Sequence, residues 1–138
     1  IFYYTFKGGN YAIKNYPSHW KEVKKVVREL NQIYPLLLAP QDGNVQTFKL
    51  SKNKSIHYLI KKTVDKKLFS AYNGTIKEGS YLIAVNVTDK RVEASLAVPV
   101  SFQGKAKLVF ENRDIPVERG KLIDHFAPYG VRVYYLGR

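Results

Sequence analysis

The stretch SYLIAVNVTDKRVEASLAV, residues 80–98, carries an apolar period of two on either side of a polar break. Tyr81, Ile83, Val85 and Val87 alternate with Leu82, Ala84 and Asn86, and Val92, Ala94, Leu96 and Val98 alternate with Arg91, Glu93 and Ser95. Successive side chains of a strand point to opposite faces, so this pattern predicts strands with one face on a core. The break at Thr88-Asp89-Lys90 has turn chemistry, and the whole stretch reads as a hairpin. Outward from it the same period recurs at Ile56, Tyr58 and Ile60, at Ala106, Leu108 and Phe110, and at Val131, Val133 and Tyr135. Turn signals separate the runs at Asn73-Gly74, Gln103-Gly104, Asn112-Arg113-Asp114, Glu118-Arg119-Gly120 and Pro128-Tyr129-Gly130. Short strands at such regular spacing predict an antiparallel β-sandwich of about seven or eight strands over residues 45–137.

Before Asn44 the period is different. Trp20, Val23, Val27, Leu30 and Ile33 recur at spacings of three and four, with Lys21, Lys24, Lys25 and Arg28 opposite. This predicts one amphipathic helix over 18–34, started by Pro17 and Ser18 and stopped by Pro35. Ile1 to Phe6 is a continuous β-favouring run, and such a run needs cover on both faces, as in a parallel sheet. Pro40 to Asn44 reads as a linker. The chain thus divides into residues 1–40, strand–loop–helix, and residues 45–138, all β.

Composition narrows the function classes. There is no Cys, so disulfides and thiolate metal sites are excluded. There is also no Met, and the first residue is Ile1, which is expected of a processed product or a piece of a longer protein. No apolar run approaches the roughly 18 residues of a membrane span, the stretch Leu36 to Ala39 included. The net charge of +12 raises the question of a polyanionic partner, but the lysines are spread along the chain, which favours solvated faces over a nucleic-acid stripe. Abundant Lys and Tyr without Cys or Met would suit a thermophile.

Two longer stretches carry a resemblance. SHWKEVKKVVRELNQIYPLLLAP, residues 18–40, resembles the last barrel helix of TIM-barrel glycoside hydrolases and the exit into their appended β-domain. VFENRDIPVERGKLIDHFAPYGVRVYYL, residues 109–136, resembles the closing strands of that domain, with Phe126, Pro128, Tyr129, Val131, Val133 and Tyr134 in its F-x-P-Y-x-V-x-V-Y pattern. The 80–98 stretch is similar to the preceding hairpin. The resemblance implies a mainly β chain: an antiparallel sandwich preceded by the strand–loop–helix remnant of an α/β barrel. It implies a non-catalytic accessory domain of a hydrolase, whose partner is the catalytic barrel of the same parent protein or another chain. The family's two catalytic carboxylates lie on earlier barrel strands. Ile1 to Phe6 would be the eighth barrel strand, and Lys7, Asn10 and Tyr11 would then sit where barrel loops bind substrate.

The residues themselves point to no reaction. Glycoside hydrolysis needs two carboxyl groups facing one another across a cleft, whereas the acidic residues here are dispersed among turns and exposed-looking strand positions. On that ground the chain alone should turn over no aryl-glycoside, and activity lost on mutating one of its own carboxylates would show otherwise. His19, His57 and His125 have no metal-ligand spacing, and no P-loop, dinucleotide fingerprint or G-x-S-x-G elbow occurs, so no metal or cofactor is expected. Asn53, Asn73 and Asn86 open N-x-S/T triplets. An independent carbohydrate-binding module is the competing reading. It would need a row of exposed aromatics, while Tyr58, Tyr81 and Tyr135 fall in the core phase and Tyr72, Tyr129 and Tyr134 are open.

Overall fold

The computed structural model describes residues 15–39, 49–50, 54–63, 76–99 and 101–137. The 1–6 strand, Lys7, Asn10, Tyr11, the 40–44 linker, Asn53, Tyr72 and the Asn73 triplet therefore lie outside the described residues. One helix, α1 (Pro17–Leu38), precedes eight strands: β1 (Lys49–Leu50), β2 (Ile56–Thr63), β3 (Gly79–Asn86), β4 (Val92–Ala97), β5 (Gly104–Leu108), β6 (Asp114–Glu118), β7 (Lys121–Phe126) and β8 (Val131–Gly137). The fold is mainly β, and every strand pair is antiparallel.

The strands form one continuous sheet in the order β1-β2-β3-β8-β5-β6-β7-β4. The sheet curls until its two halves face each other, so a single sheet supplies both layers of the sandwich. β5 is the seam. Gly104 to Lys107 pair with β6, while Lys107 and Leu108 pair with β8. The main core lies between Ile56, Tyr58, Leu82, Ala84, Tyr134 and Leu136 on one side and Ala94, Leu96, Leu122 and Phe126 on the other. The Tyr58 hydroxyl reaches across to accept the Ala97 amide at 3.1 Å and caps the open edge of β4.

The 80–98 stretch is not a hairpin. β3 pairs with β2 and β8, whereas β4 pairs only with β7. Residues 87–91 form an arch that carries the chain from one layer to the other. Asn86, fully buried, holds that arch. Its Nδ2 donates to the carbonyls of Lys90 at 2.7 Å and Ala127 at 2.9 Å, and its Oδ1 accepts the Thr88 amide at 3.0 Å and hydroxyl at 2.8 Å. A side chain with no exposed surface and both donors engaged is an anchor, so the Asn86 triplet is no sugar acceptor in the folded protein.

The inward phase also differs on two strands. Leu82, Ala84, Tyr134 and Leu136 face the main core, while Tyr81, Ile83, Val133 and Tyr135 form a second cluster with Ile33, Leu36 and Ile76 on the outer face. β3 and β8 sit mid-sheet beneath α1, so both of their faces are covered and both phases are apolar. The helix itself runs through Pro35 to Leu38 instead of stopping. Pro35 occupies the last turn, and the Lys61 ammonium donates to the Leu37 and Ala39 carbonyls there. A cation on those carbonyls complements the negative end of the helix dipole.

Candidate interaction surface

At about 100° per residue, the side chains of α1 sort into two directions. Ile33, Leu36 and Ala39 are buried on the sheet side. The same side, one to three turns earlier, carries Lys25, Arg28, Glu29 and Gln32, which with Lys107 to Asn112 line a groove of about 690 Å³. The sheet thus packs on Ile33 and Leu36, and the charged residues border the groove beside that contact. The apolar face expected from the sequence meets the sheet only along its Ile33 edge and runs around the helix from there. Val23, Val27 and Leu30 are half-buried, and Val26, Leu37 and Leu38 are 39%, 38% and 53% exposed. None of these six joins either apolar cluster. Trp20 lies on the same arc with the Lys24 ammonium 5.8 Å from its ring centre. Of the apolar face read from the spacing, only Ile33 packs on the sandwich.

Such a face costs free energy in water, at roughly 25 cal/mol per Å² of apolar surface left uncovered. The chemistry of this one is aliphatic, with no acid, base or nucleophile in it, so it can bind by packing and cannot catalyse.

Charged groups concentrate elsewhere. Asp124 is 2% exposed, in phase with Leu122 and Phe126 on the inner face of β7. Its carboxylate accepts two bonds from the Arg113 guanidinium at 2.7 and 3.0 Å, one from the Tyr134 hydroxyl at 2.7 Å and one from the His125 amide at 2.8 Å. Burial by itself would push this carboxyl up; the guanidinium, the hydroxyl and the amide outweigh it and hold it below the usual carboxylate range. Glu111 extends the network, bonding Arg113 Nε at 3.3 Å and Arg132 Nη1 at 2.8 Å. Arg132 Nε is the single buried side-chain nitrogen or oxygen without a partner among the described residues. The sequence reading placed all carboxylates on exposed positions, and for Asp124 that is wrong. The signal was present: an Asp in the apolar phase of L-I-D-H-F needs a buried partner.

Of the other acidic and imidazole groups among the described residues, Glu29, His57 and Glu111 are half-buried and the rest are exposed. Asp89, Asp114 and Glu118 are exposed, and Asp42 and Asp65 lie outside the described residues. His125 forms an exposed cross-strand pair with Glu93 at 2.9 Å, and His19 is exposed at the helix start. Among the described residues no three His, Asp or Glu side chains converge, and no helix is long and apolar enough to cross a membrane. Of the tyrosines left open, Tyr134 is fully buried and Tyr129 is 66% exposed. Tyr129 is the one large exposed aromatic on the described part of the sandwich, so no aromatic row forms there.

No protein-family model matches the chain, and no curated protein matches it in sequence. Several solved structures overlap part of the fold, among them the following two. One is an Anoxybacillus α-amylase, described as representing a new glycosyl hydrolase subclass, with 14% identity and a TM-score of 0.43 over 61% of this chain and 16% of that one. The other is AmyP in complex with maltose, with 11% identity and a TM-score of 0.43 over 61% of this chain and 14% of that one. The chain thus spans less than a fifth of either structure.

Proposed function

We propose that this chain is the non-catalytic C-terminal β-sandwich portion of a glycoside hydrolase, and that α1 is the element by which it packs on and stabilises the catalytic barrel. The observation that carries the reading is that most of the aliphatic face of α1 stays off the sandwich: Ile33 and Leu36 pack on it, while Val26, Leu37 and Leu38 are exposed and Val23, Val27 and Leu30 join neither apolar cluster. A helix made for the sandwich alone would bury that face against the sheet. The order of elements supports the reading too, because the resemblance of residues 18–40 places this helix at the barrel's closing position and the sandwich directly after it. In this reading residues 1–40 belong to the barrel and 45–138 to the accessory domain, and Lys7, Asn10 and Tyr11 belong to the barrel's substrate loops.

The test introduces Val26→Glu and Leu37→Glu together. In this chain by itself the melting temperature should move by no more than about a degree or two, because exposed substitutions away from packing cost within about 0.5 kcal/mol. In a protein that also carries the barrel, the same pair should lower it by several degrees, since each buried carboxylate without a partner costs at least about 1–3 kcal/mol. Equal shifts in both contexts, large or small, would refute barrel docking through this face.

A further inference from the structure

We propose that the outer face of the sheet beside α1, at the β3–β4 and β7–β8 connections, is a second docking surface for the catalytic barrel, and that it takes an apolar patch rimmed by acidic side chains. The proposal rests on the reading that α1 packs on that barrel. Val87, Tyr129 and Val131 are 44%, 66% and 54% exposed, and the fold brings them together. Val131 is opposite Val85 in the β3–β8 register. The pairing runs on past the strand ends: the Asn86 amide donates to the Gly130 carbonyl at 2.9 Å, and the Tyr129 amide to the Thr88 carbonyl at 3.0 Å. Val87 holds to β2 as well, its amide donating to the Ser55 carbonyl at 2.9 Å. By alternation Val85, Val87 and Val131 share the outer face with Ile83 and Val133, which belong to the cluster packed with α1. The apolar surface under the helix thus continues into one that no described residue covers.

Tyr129 is held there against its own backbone preference. The Gly130 amide closes the turn on the Ala127 carbonyl at 2.9 Å, and Tyr129, third in that turn, has a φ of +52°. Gly or Asn is the ordinary occupant of such a position, because a bulky side chain is strained in the left-handed region. Within this chain the Tyr129 ring gains little in return, since most of it is exposed. Strain of this kind gathers at sites that bind or switch. Tyrosine is also enriched among the residues that dominate protein interfaces. A partner that buries the ring accounts for the strain and the exposure together.

The rim gives the partner's chemistry. Lys54, next to Ser55, and Lys90 and Arg91 in the 87–91 arch are exposed, and none of the three is in an ion pair with a described residue. Asp89 is the one acid in the arch. An acidic rim on the partner would complement these cations and fix the register of docking. A second copy of this chain would not, because a two-fold contact through the same patch sets the cations against their like. A flat bilayer is a poor fit as well. α1, a helix about 10 Å across, stands on this same face, and Val85 and Val131 lie one step in phase from the residues beneath it. A plane resting on that ridge misses the valines at its foot, whereas a protein with relief of its own reaches them.

Two pairs of substitutions test it. Tyr129→Asn with Val131→Thr removes the apolar patch, and Lys90→Glu with Arg91→Glu reverses the rim. In this chain by itself the patch pair should leave the melting temperature within about two degrees or raise it, since Asn relieves the left-handed strain. In a protein that also carries the barrel it should lower it by about 4 °C or more, the loss of an interface anchor. The rim pair should lower it there by a few degrees at low salt, and that loss should vanish near 1 M salt, where the screening length is about 3 Å. Equal shifts of the patch pair in both contexts overturn the proposal. So does a rim loss that salt leaves unchanged, or co-sedimentation of this chain with phosphatidylglycerol vesicles that Tyr129→Asn abolishes. The α1 pair keeps the two readings apart. If Val26→Glu with Leu37→Glu distinguishes the two contexts and the patch pair does not, barrel docking stands and this surface alone falls. If the patch pair distinguishes them and the α1 pair does not, this surface is the docking site and α1 is not.

Discussion

Replacing Asp124 by alanine should destabilise the sandwich by roughly 2–4 kcal/mol, because the buried Tyr134 hydroxyl and the His125 amide each lose their acceptor, while the freed Arg113 guanidinium is 39% exposed and reaches water. The carboxylate is the acceptor for three groups at once, and its removal strands the Tyr134 hydroxyl in the core and leaves the Arg113 fork with only Glu111. A domain of ordinary stability has about 5–15 kcal/mol in total, so the variant should unfold at a visibly lower urea midpoint. Arg113→Ala should be of similar size, because it leaves the carboxylate buried with a hydroxyl and an amide but no cation. Arg113→Met, Asp124→Leu and Tyr134→Phe combined should recover much of the loss, since an apolar replacement of a whole network is often neutral. A combined variant as unstable as the worst single one would mean that the network does more than satisfy itself.

The same carboxylate sets an acid dependence. Its folded pKa lies below the unfolded value of about 3.9, so the stabilisation is complete above that value and is lost as pH falls through the folded one. The gap between the parent chain and Asp124→Ala should therefore narrow between roughly pH 5 and pH 2. At the alkaline end, burial and the neighbouring Asp124 raise the Tyr134 hydroxyl, and burial pushes Tyr81 up to about 12. Both contributions are whole below about pH 10 and disappear as pH climbs past it. Urea midpoints across the pH range check both limbs.

Asn86→Ala should cost about 3 kcal/mol or more, because a buried polar group left unsatisfied costs about 1–3 kcal/mol and this change strands several. The carbonyls of Lys90 and Ala127 and the amide of Thr88 all lose their partner. These groups belong to the β3–β4 and β7–β8 connections, so the loss should appear first as faster amide exchange in both arches together. Asn86→Asp keeps the acceptor for Thr88 but turns a carboxylate oxygen toward two carbonyls. It should be at least as destabilised as alanine at pH 7 and should partly recover as the carboxyl protonates in acid. A cost below about 1 kcal/mol for both would show that water replaces the amide at no penalty.

How far the sequence could be read follows from which residues had one surface to satisfy. β4 and β7 have a single covered face, and Val92, Ala94 and Leu96 alternate cleanly and do line the core. β3 and β8 are covered twice, so Leu82 and Ala84 looked like the outer phase although they are the inner one. The turn at residues 88–90 was legible as a turn, but an arch and a hairpin share the same turn residues. What separates them is Asn86 bonding to Ala127, a long-range contact that no local pattern encodes. The helix was legible as amphipathic, yet its spacing could not say which side would meet the sheet.

The strand order has a consequence for how the chain is made. β8 lies between β3 and β5, in the middle of the sheet, yet its residues are synthesised after those of the other seven described strands. While residues 1–130 emerge from the ribosome, at about 5–20 residues per second, β2–β3 and β6–β7 can zip as local ladders but cannot be joined. The gap between them is filled only when Val131 to Gly137 arrive, and the pairing of β3 with β8 then closes a loop of some fifty residues in one step. Folding should thus be slow and late, dominated by a non-local closure. Nascent chains stalled before residue 131 should be open to protease along β3 and β5, and those that include β8 with room to leave the exit tunnel should resist it.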